Sequence, residues 1–205
     1  MKIALIGAQG VGKTTLAKKL RDKFASSYIV KETVRECPYP CDQLADFKTE
    51  WWVLSHSILE EKEAEEAGHS LIIADRCLLD ISVYTKLIAE ANDGRITAGK
   101  RQMIDRSISE WLSESPYDVI FFIKVDSSVW QSRDLDDGFR STDIGWYSLL
   151  TKEFESAIER FDVAKKAKLI TVSNNGKIDE AFAQICAQVQ DNPQFRSKLT
   201  VSAAL

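Results

Sequence analysis

Eight residues near the start of the chain, Gly7-Ala8-Gln9-Gly10-Val11-Gly12-Lys13-Thr14, constrain the fold more than any others. They fit the pattern G-x-x-x-x-G-K-[ST]. Its glycines let the backbone curl until successive N–H groups point at one anion, and a helix N-terminus adds its dipole to the same point. The pattern needs a strand before it and a helix after it. The apolar run Ile3–Ile6 supplies the first, and Thr14–Phe24, with Leu16, Ala17, Leu20 and Phe24 at helical spacing, supplies the second. Lys13 brings a positive charge to the β- and γ-phosphates of a bound nucleotide. The Thr14 hydroxyl is a ligand for Mg²⁺. Gly7, Gln9, Gly10, Val11, Gly12, Lys13, Thr14 and Thr15 are therefore the expected nucleotide-binding residues, with ATP and Mg²⁺ as the expected ligands.

The rest of the chain repeats the strand-then-helix alternation. Short apolar runs at Tyr28–Lys31, Ser70–Ala74, Val119–Val125 and Leu169–Val172 are separated by helical patterns at about 43–67, from Asp80 onward, at about 100–114, up to about Phe161, and at Lys177–Gln190. Within the 43–67 segment, Phe47, Trp51, Leu54 and Ile58 are spaced as one buried helix face, and Gly68 is its expected stop. Alternation of this kind predicts an α/β domain: a parallel sheet of about five strands in a three-layer sandwich with helices. Such sheets bind ligands at the carboxyl ends of their strands, here marked by Gly7, Glu32, Asp75 and Asp126.

The 205 residues suit one domain, expected over 1–190 with a lid at about 127–145 and a C-terminal tail at 191–205. With 27 Lys+Arg against 31 Asp+Glu, the net charge of -4 excludes a broadly basic nucleic-acid coat but not a local basic groove. Cys37, Cys41, Cys77 and Cys186 are too sparse for a disulfide scaffold. Cys37 and Cys41 lack the further ligands a zinc site needs. No apolar run approaches a membrane span, so a cytoplasmic location (the host cytoplasm for a viral protein) and no membrane partner are expected.

Other segments narrow the chemistry. No glycine has an aspartate three residues before it and no asparagine is followed by lysine, so guanine-nucleotide switch motifs are absent. Asp75 is followed by Arg76, a substrate-gripping residue, where a hydrolytic ATPase carries a water-activating glutamate. Asp75-Arg76-Cys77-Leu78-Leu79-Asp80 with Tyr84 resembles the D-R-x-x-x-D-x-x-x-Y segment of P-loop nucleoside and nucleotide kinases, a thymidylate-kinase-like group that includes nicotinamide-riboside-kinase-like members and phage kinases acting on 5-hydroxymethyluracil in DNA. Glu32 with Arg35 resembles their E-x-x-R segment, and Asp136-Asp137-Gly138-Phe139-Arg140 their lid. The resemblance spans about residues 3 to 185.

It implies an ATP- and Mg²⁺-dependent phosphotransferase. Lys13, Arg140 and Arg133 would stabilise the migrating phosphoryl group, with solvated ion pairs to Asp134, Asp136 or Asp137 as the alternative for the two arginines, and Arg76 and Arg35 would grip the acceptor. Asp75 and Thr14 would hold the metal. Glu32 or Asp75 would be the base, with a capping role for Glu32 as the alternative. Asn174-Asn175-Gly176 would pass the adenine, Asn175 being the contact taken, or form an ordinary turn. The acceptor is a nucleoside or nucleotide, with hydroxymethylated DNA as the alternative. Arg95, Lys100, Arg101 and Arg106 would then serve the DNA, or be plain helix surface. A regulatory NTP-binding module or ATPase is the non-kinase alternative, and the oligomeric state, a dimer included, stays open. Trp51 and Trp52 read as core or lid support before base stacking, and Glu60, Glu61, Glu63, Glu65 and Glu66 as a solvated face.

Overall fold

A computed structural model describes residues 1–41, 44–91, 94–133, 143–193 and 195–196. Five strands, β1 (Lys2–Ile6), β2 (Ser27–Val30), β3 (Leu71–Asp75), β4 (Val119–Lys124) and β5 (Lys168–Ser173), form one parallel sheet in the order β2-β3-β1-β4-β5. The expected architecture is therefore present. β1 lies at the centre, with Ile3 beside Ile73 on one flank and Val119 on the other. Every residue of β1 and β3 is buried, so both faces of the sheet are covered, as a parallel sheet requires.

Helices supply the cover in two groups. α1 (Lys13–Lys23) and α8 (Ile178–Asp191) pack on each other and on the strands. α2 (Phe47–Glu66), α3 (Leu78–Glu90), α4 (Ala98–Glu114) and α6 (Ile144–Arg160) form the second group, with α3 touching each of the other three. Two short helices, α5 (Ser127–Gln131) and α7 (Val163–Lys166), were not marked by the sequence pattern; both are too short to show a period.

α2 departs from its expected form in two ways. It starts at Phe47 because Asp46 caps it, accepting from the N–H groups of Lys48 and Thr49 at 2.8 and 3.2 Å while the Thr49 hydroxyl accepts from Asp46 N. Its deepest face is also rotated from the expected stripe. Thr49, Glu50, Val53, Leu54, Glu61 and Ala64 are buried, whereas Phe47, Trp51 and Ile58 are only half-buried. The two tryptophans stack within the helix, Trp51 on Phe47 and Trp52 on His56, in the supporting role expected of them.

Glu61 corrects the reading of a solvated acidic face. It is 1% exposed and accepts from Lys2 Nζ at 3.1 Å, from Trp111 Nε1 at 2.9 Å and from the Tyr117 hydroxyl. A charge inside a helix of acidic neighbours carries no sequence mark of its own burial. Its cationic partner here lies 59 residues away on the central strand. Gly68, at φ +73°, ends the α2 segment as expected.

Candidate functional site

The site is built on the turn between β1 and α1. Gly7, Gly10 and Gly12 hold φ values of +137°, +76° and +99°, which side chains resist. A Cβ on Gly7 would lie 2.4 Å from the Ile123 carbonyl oxygen, and one on Gly12 would lie 2.7 Å from Asn174 Nδ2.

Every carbonyl of this loop has a donor. Lys13 Nζ serves Gly7 and Ala8 at 2.7 and 2.9 Å, Trp130 Nε1 serves Gln9 at 2.9 Å, and Arg133 Nη1 serves Gly10 at 2.9 Å. Asn174 Nδ2 serves Val11 at 2.8 Å, and Leu16 N serves Gly12 at 3.0 Å. The turn adjoins a cavity of about 450 Å³, lined by Gln9, Gly10, Gly12, Lys13, Thr14 and Thr15, and its glycines leave the backbone free to present N–H groups to an anion there. This is an anion cradle. Burial, and after it the Arg76 charge, lower the Lys13 ammonium to about 8. A phosphate arriving there meets a cation whose solvent has already been removed.

α5 and the loop after β5 brace the cradle. Trp130 stacks on Tyr147, whose hydroxyl donates to the Val125 carbonyl. Arg133 spans from Gly10 O to the Asn174 carbonyl, so it sits at the cavity wall. Of the asparagine pair, Asn174 is the one on the cradle; it is 2% exposed and its Oδ1 is buried without a partner among the described residues. The Asn175 side chain instead accepts from Asp126 N at 2.7 Å, at the start of α5. Trp130 carries no motif, and the Asn174-Asn175-Gly176 segment points to Asn175 rather than Asn174 as the contact. Each is recruited by a contact more than 100 residues distant in sequence.

The carboxyl ends of β2 and β3 add a charged cluster. Arg76, at φ +78°, projects its guanidinium between three side chains: Nε lies 2.6 Å from Glu32 Oε1, and Nη1 is 3.4 Å from both Asp80 Oδ1 and the Tyr84 hydroxyl. The D-R-x-x-x-D-x-x-x-Y spacing is thereby explained. Asp80 also closes the α3 capping box by accepting from Cys77 N at 3.0 Å, and Tyr84 follows one turn later. Glu32 accepts from Arg35 Nε at 3.2 Å as well. Burial raises its carboxyl, but Arg76 above all, with Arg35 and Lys13, outweighs that and leaves it below the ordinary value. Burial pushes Asp80 up to about 6 against the pull of Arg76. Asp75 is buried at the end of β3, beside Leu5 of β1, and its charge acts on Lys13.

A second cavity, of about 1200 Å³, opens on the other side of this cluster. Its walls come from the segment after β2, from α2, from α3 and from the start of α6. Gln9, Glu32 and Arg76 line both cavities. The structure thus brings Gly10, Gly12, Lys13, Thr14, Thr15, Glu32, Arg76 and Arg133 around one space. Arg140, with the rest of 134–142, lies outside the described residues. The basic stretch on α4 is partly engaged: Arg101 faces Asp105 at 3.7 Å and Lys100 lies over the Phe47 ring. Arg95 donates to the Ala45 carbonyl at 3.1 Å, on the wall of the larger cavity.

A glycine-built anion cradle between the central strand and its following helix, in this strand order, defines a P-loop nucleotide-binding fold. Residues 2–144 match the family model described as an AAA domain, and the chain belongs to that family. Among solved structures, that of deoxyadenosine kinase from M. mycoides with bound dCTP is similar at a TM-score of 0.71 and 22% identity, covering 94% of this chain and 100% of that one. The same enzyme with its products dCMP and dCDP gives a TM-score of 0.70 at 20% identity, again covering 94% and 100%. Thymidylate kinase from Candida albicans gives 0.61 at 17%, covering 95% and 92%. No curated protein sequence matches the chain. The resemblance to P-loop nucleoside and nucleotide kinases thus extends to the whole fold.

Proposed function

We propose that the protein transfers the γ-phosphoryl group of ATP to a nucleoside or nucleotide. One observation carries this reading: the cradle cavity and the larger cavity share the three residues Gln9, Glu32 and Arg76. A donor phosphate bound at Lys13 and an acceptor in the larger cavity would meet at that boundary. A hydrolase needs only the first cavity and a water.

The residues divide the work. The cradle N–H groups and Lys13 hold the donor phosphates and stabilise charge on the group in transit. Glu32, held ionised by Arg76 and Arg35, accepts the acceptor hydroxyl's proton. Arg76 fixes Glu32 and faces the acceptor. Thr14, exposed at the start of α1 on the wall of the cradle cavity, and Asp75, buried beside Lys13, are the residues that would hold Mg²⁺. When bound, that ion would neutralise the charge building on the donor phosphates. Arg140 from 134–142 is proposed to complete the clamp.

The M. mycoides enzyme is a deoxyadenosine kinase whose structures hold dCTP, dATP and the product dCMP, so a deoxynucleoside is the acceptor to test first. A second reading is favoured by the size of the larger cavity, about 1200 Å³ with Lys31, Arg35 and Arg95 on its walls. Most small-ligand pockets measure about 300–1,000 Å³. The extra space suits an acceptor carried on a strand, such as hydroxymethylated DNA. ATP labelled in the γ-phosphate, offered with deoxynucleosides, their monophosphates and a hydroxymethylated oligonucleotide side by side, tests both. Label in the monomers supports the first reading, and label in the oligonucleotide alone supports the second. Label in none, with phosphate released to water, refutes both.

A further inference from the structure

We propose that Glu50 is the specificity-determining residue of the larger cavity, reading the hydrogen-bonding edge of the acceptor's nucleobase through its Oε1 atom. The proposal rests on the kinase reading above.

Glu50 stands in the first turn of α2 and is 7% exposed, yet it lines the cavity. Its Oε2 is taken, accepting from the Thr85 hydroxyl on α3 at 3.2 Å. Its Oε1 has no partner among the described residues. The only fully buried side-chain polar atom without a partner among them is Asn174 Oδ1, so Oε1 reaches the cavity. Around it the wall is largely apolar, with Val53, Ile81, Leu87 and Ile88. An apolar slot with one convergent polar atom suits a flat heterocycle.

Position separates Glu50 from the reacting end. Lys13, Glu32, Arg76 and Asp80 act on one another electrostatically, whereas Glu50 responds chiefly to burial and, in the opposite sense, to the Thr85 hydrogen bond. Burial, only partly offset by the Thr85 hydrogen bond, pushes the carboxyl up to about 8, so that it carries its proton at neutral pH. The Thr85 hydroxyl takes the carbonyl-like Oε2, which leaves the proton on Oε1. Oε1 therefore donates, to a ring nitrogen or exocyclic carbonyl of a base. An unpaired buried donor is costly, so a base that fills it is selected over one that cannot.

The test measures kcat and KM for wild type, Glu50→Ala and Glu50→Gln with ATP and whichever acceptor the wild type labels, across the available bases. Glutamine keeps a neutral donor and an acceptor at this position. Glu50→Ala should raise acceptor KM at least about tenfold and compress the ranking of the bases, the loss expected for one buried hydrogen bond. Its kcat should change less than about threefold and its KM for ATP should be unchanged, as befits lost ground-state binding remote from the chemistry. Glu50→Gln should stay within about threefold of wild type. An unchanged acceptor KM and base ranking in Glu50→Ala overturns the role of Glu50 while leaving the kinase reading intact. A wild type that labels no acceptor overturns both.

Discussion

Replacing Glu50 by glutamine should make the folding stability of the free protein nearly independent of one large proton equilibrium. The Glu50 carboxyl is pushed from an ordinary 4.5 up to about 8 by burial, with the Thr85 hydrogen bond as the lesser, opposing influence. The unfolded chain ionises this group first as pH rises. Its contribution is therefore fully present below 4.5 and is lost progressively until about 8, at about 1.4 kcal/mol per pH unit. From about pH 5 to about pH 7.5 the wild type should lose roughly 3 kcal/mol that the Gln variant keeps. Urea melts of both proteins across that range give the quantity directly, as the difference in unfolding free energy at each pH. That difference should grow with pH in favour of the variant. A difference that stays flat would mean that Glu50 is ionised in the folded state, and the reading of it as a proton-bearing group on the cavity wall would fall.

Three further outcomes follow from the cradle and the charged cluster. Gly12→Ala forces a Cβ to within 2.7 Å of Asn174 Nδ2 at φ +99°, so stability should fall by about 1–3 kcal/mol and nucleotide affinity with it, read by calorimetric titration with ADP. Arg133→Ala removes the donor to Gly10 O and the tie to the Asn174 carbonyl; ADP should bind about tenfold more weakly while the thermal midpoint moves by only a few degrees. Glu32→Gln should lower kcat by about 10²–10⁴ with a hydroxyl acceptor while leaving ADP affinity within about threefold. An undiminished kcat in that variant would remove Glu32 from the base role.

How much of this was legible in the sequence differs by element. The cradle was, because its glycines, lysine and threonine act within one turn and their spacing is the mechanism. So was the sheet, because β1, β3 and β4 are short apolar runs between helices. The Arg76–Asp80–Tyr84 spacing was legible as a motif, and its geometry follows from one capped helix turn. What stayed hidden depends on distant partners. Trp130 sits in a polar stretch and shows its purpose only where it meets the Gln9 carbonyl. Glu50 and Glu61 look like surface residues of one charged helix, yet both line the larger cavity, and Glu61 also pairs with Lys2. The expected apolar face of α2 does pack on the core, with Leu54 buried and Phe47, Trp51 and Ile58 at its flank, but the deepest positions also take in polar side chains whose burial no spacing marks.

Two cavities meeting at Glu32 and Arg76 are proposed to pass a phosphoryl group from one ligand to another. The most direct measurement follows ³¹P resonances of ATP with wild type and Lys13→Ala, with and without a deoxynucleoside acceptor. Wild type should convert ATP to ADP only when the acceptor is present, with one phosphomonoester formed per ADP, and Lys13→Ala should slow this by at least about 10²-fold while remaining folded. Release of inorganic phosphate at the same rate with or without acceptor, or full activity in Lys13→Ala, would contradict it.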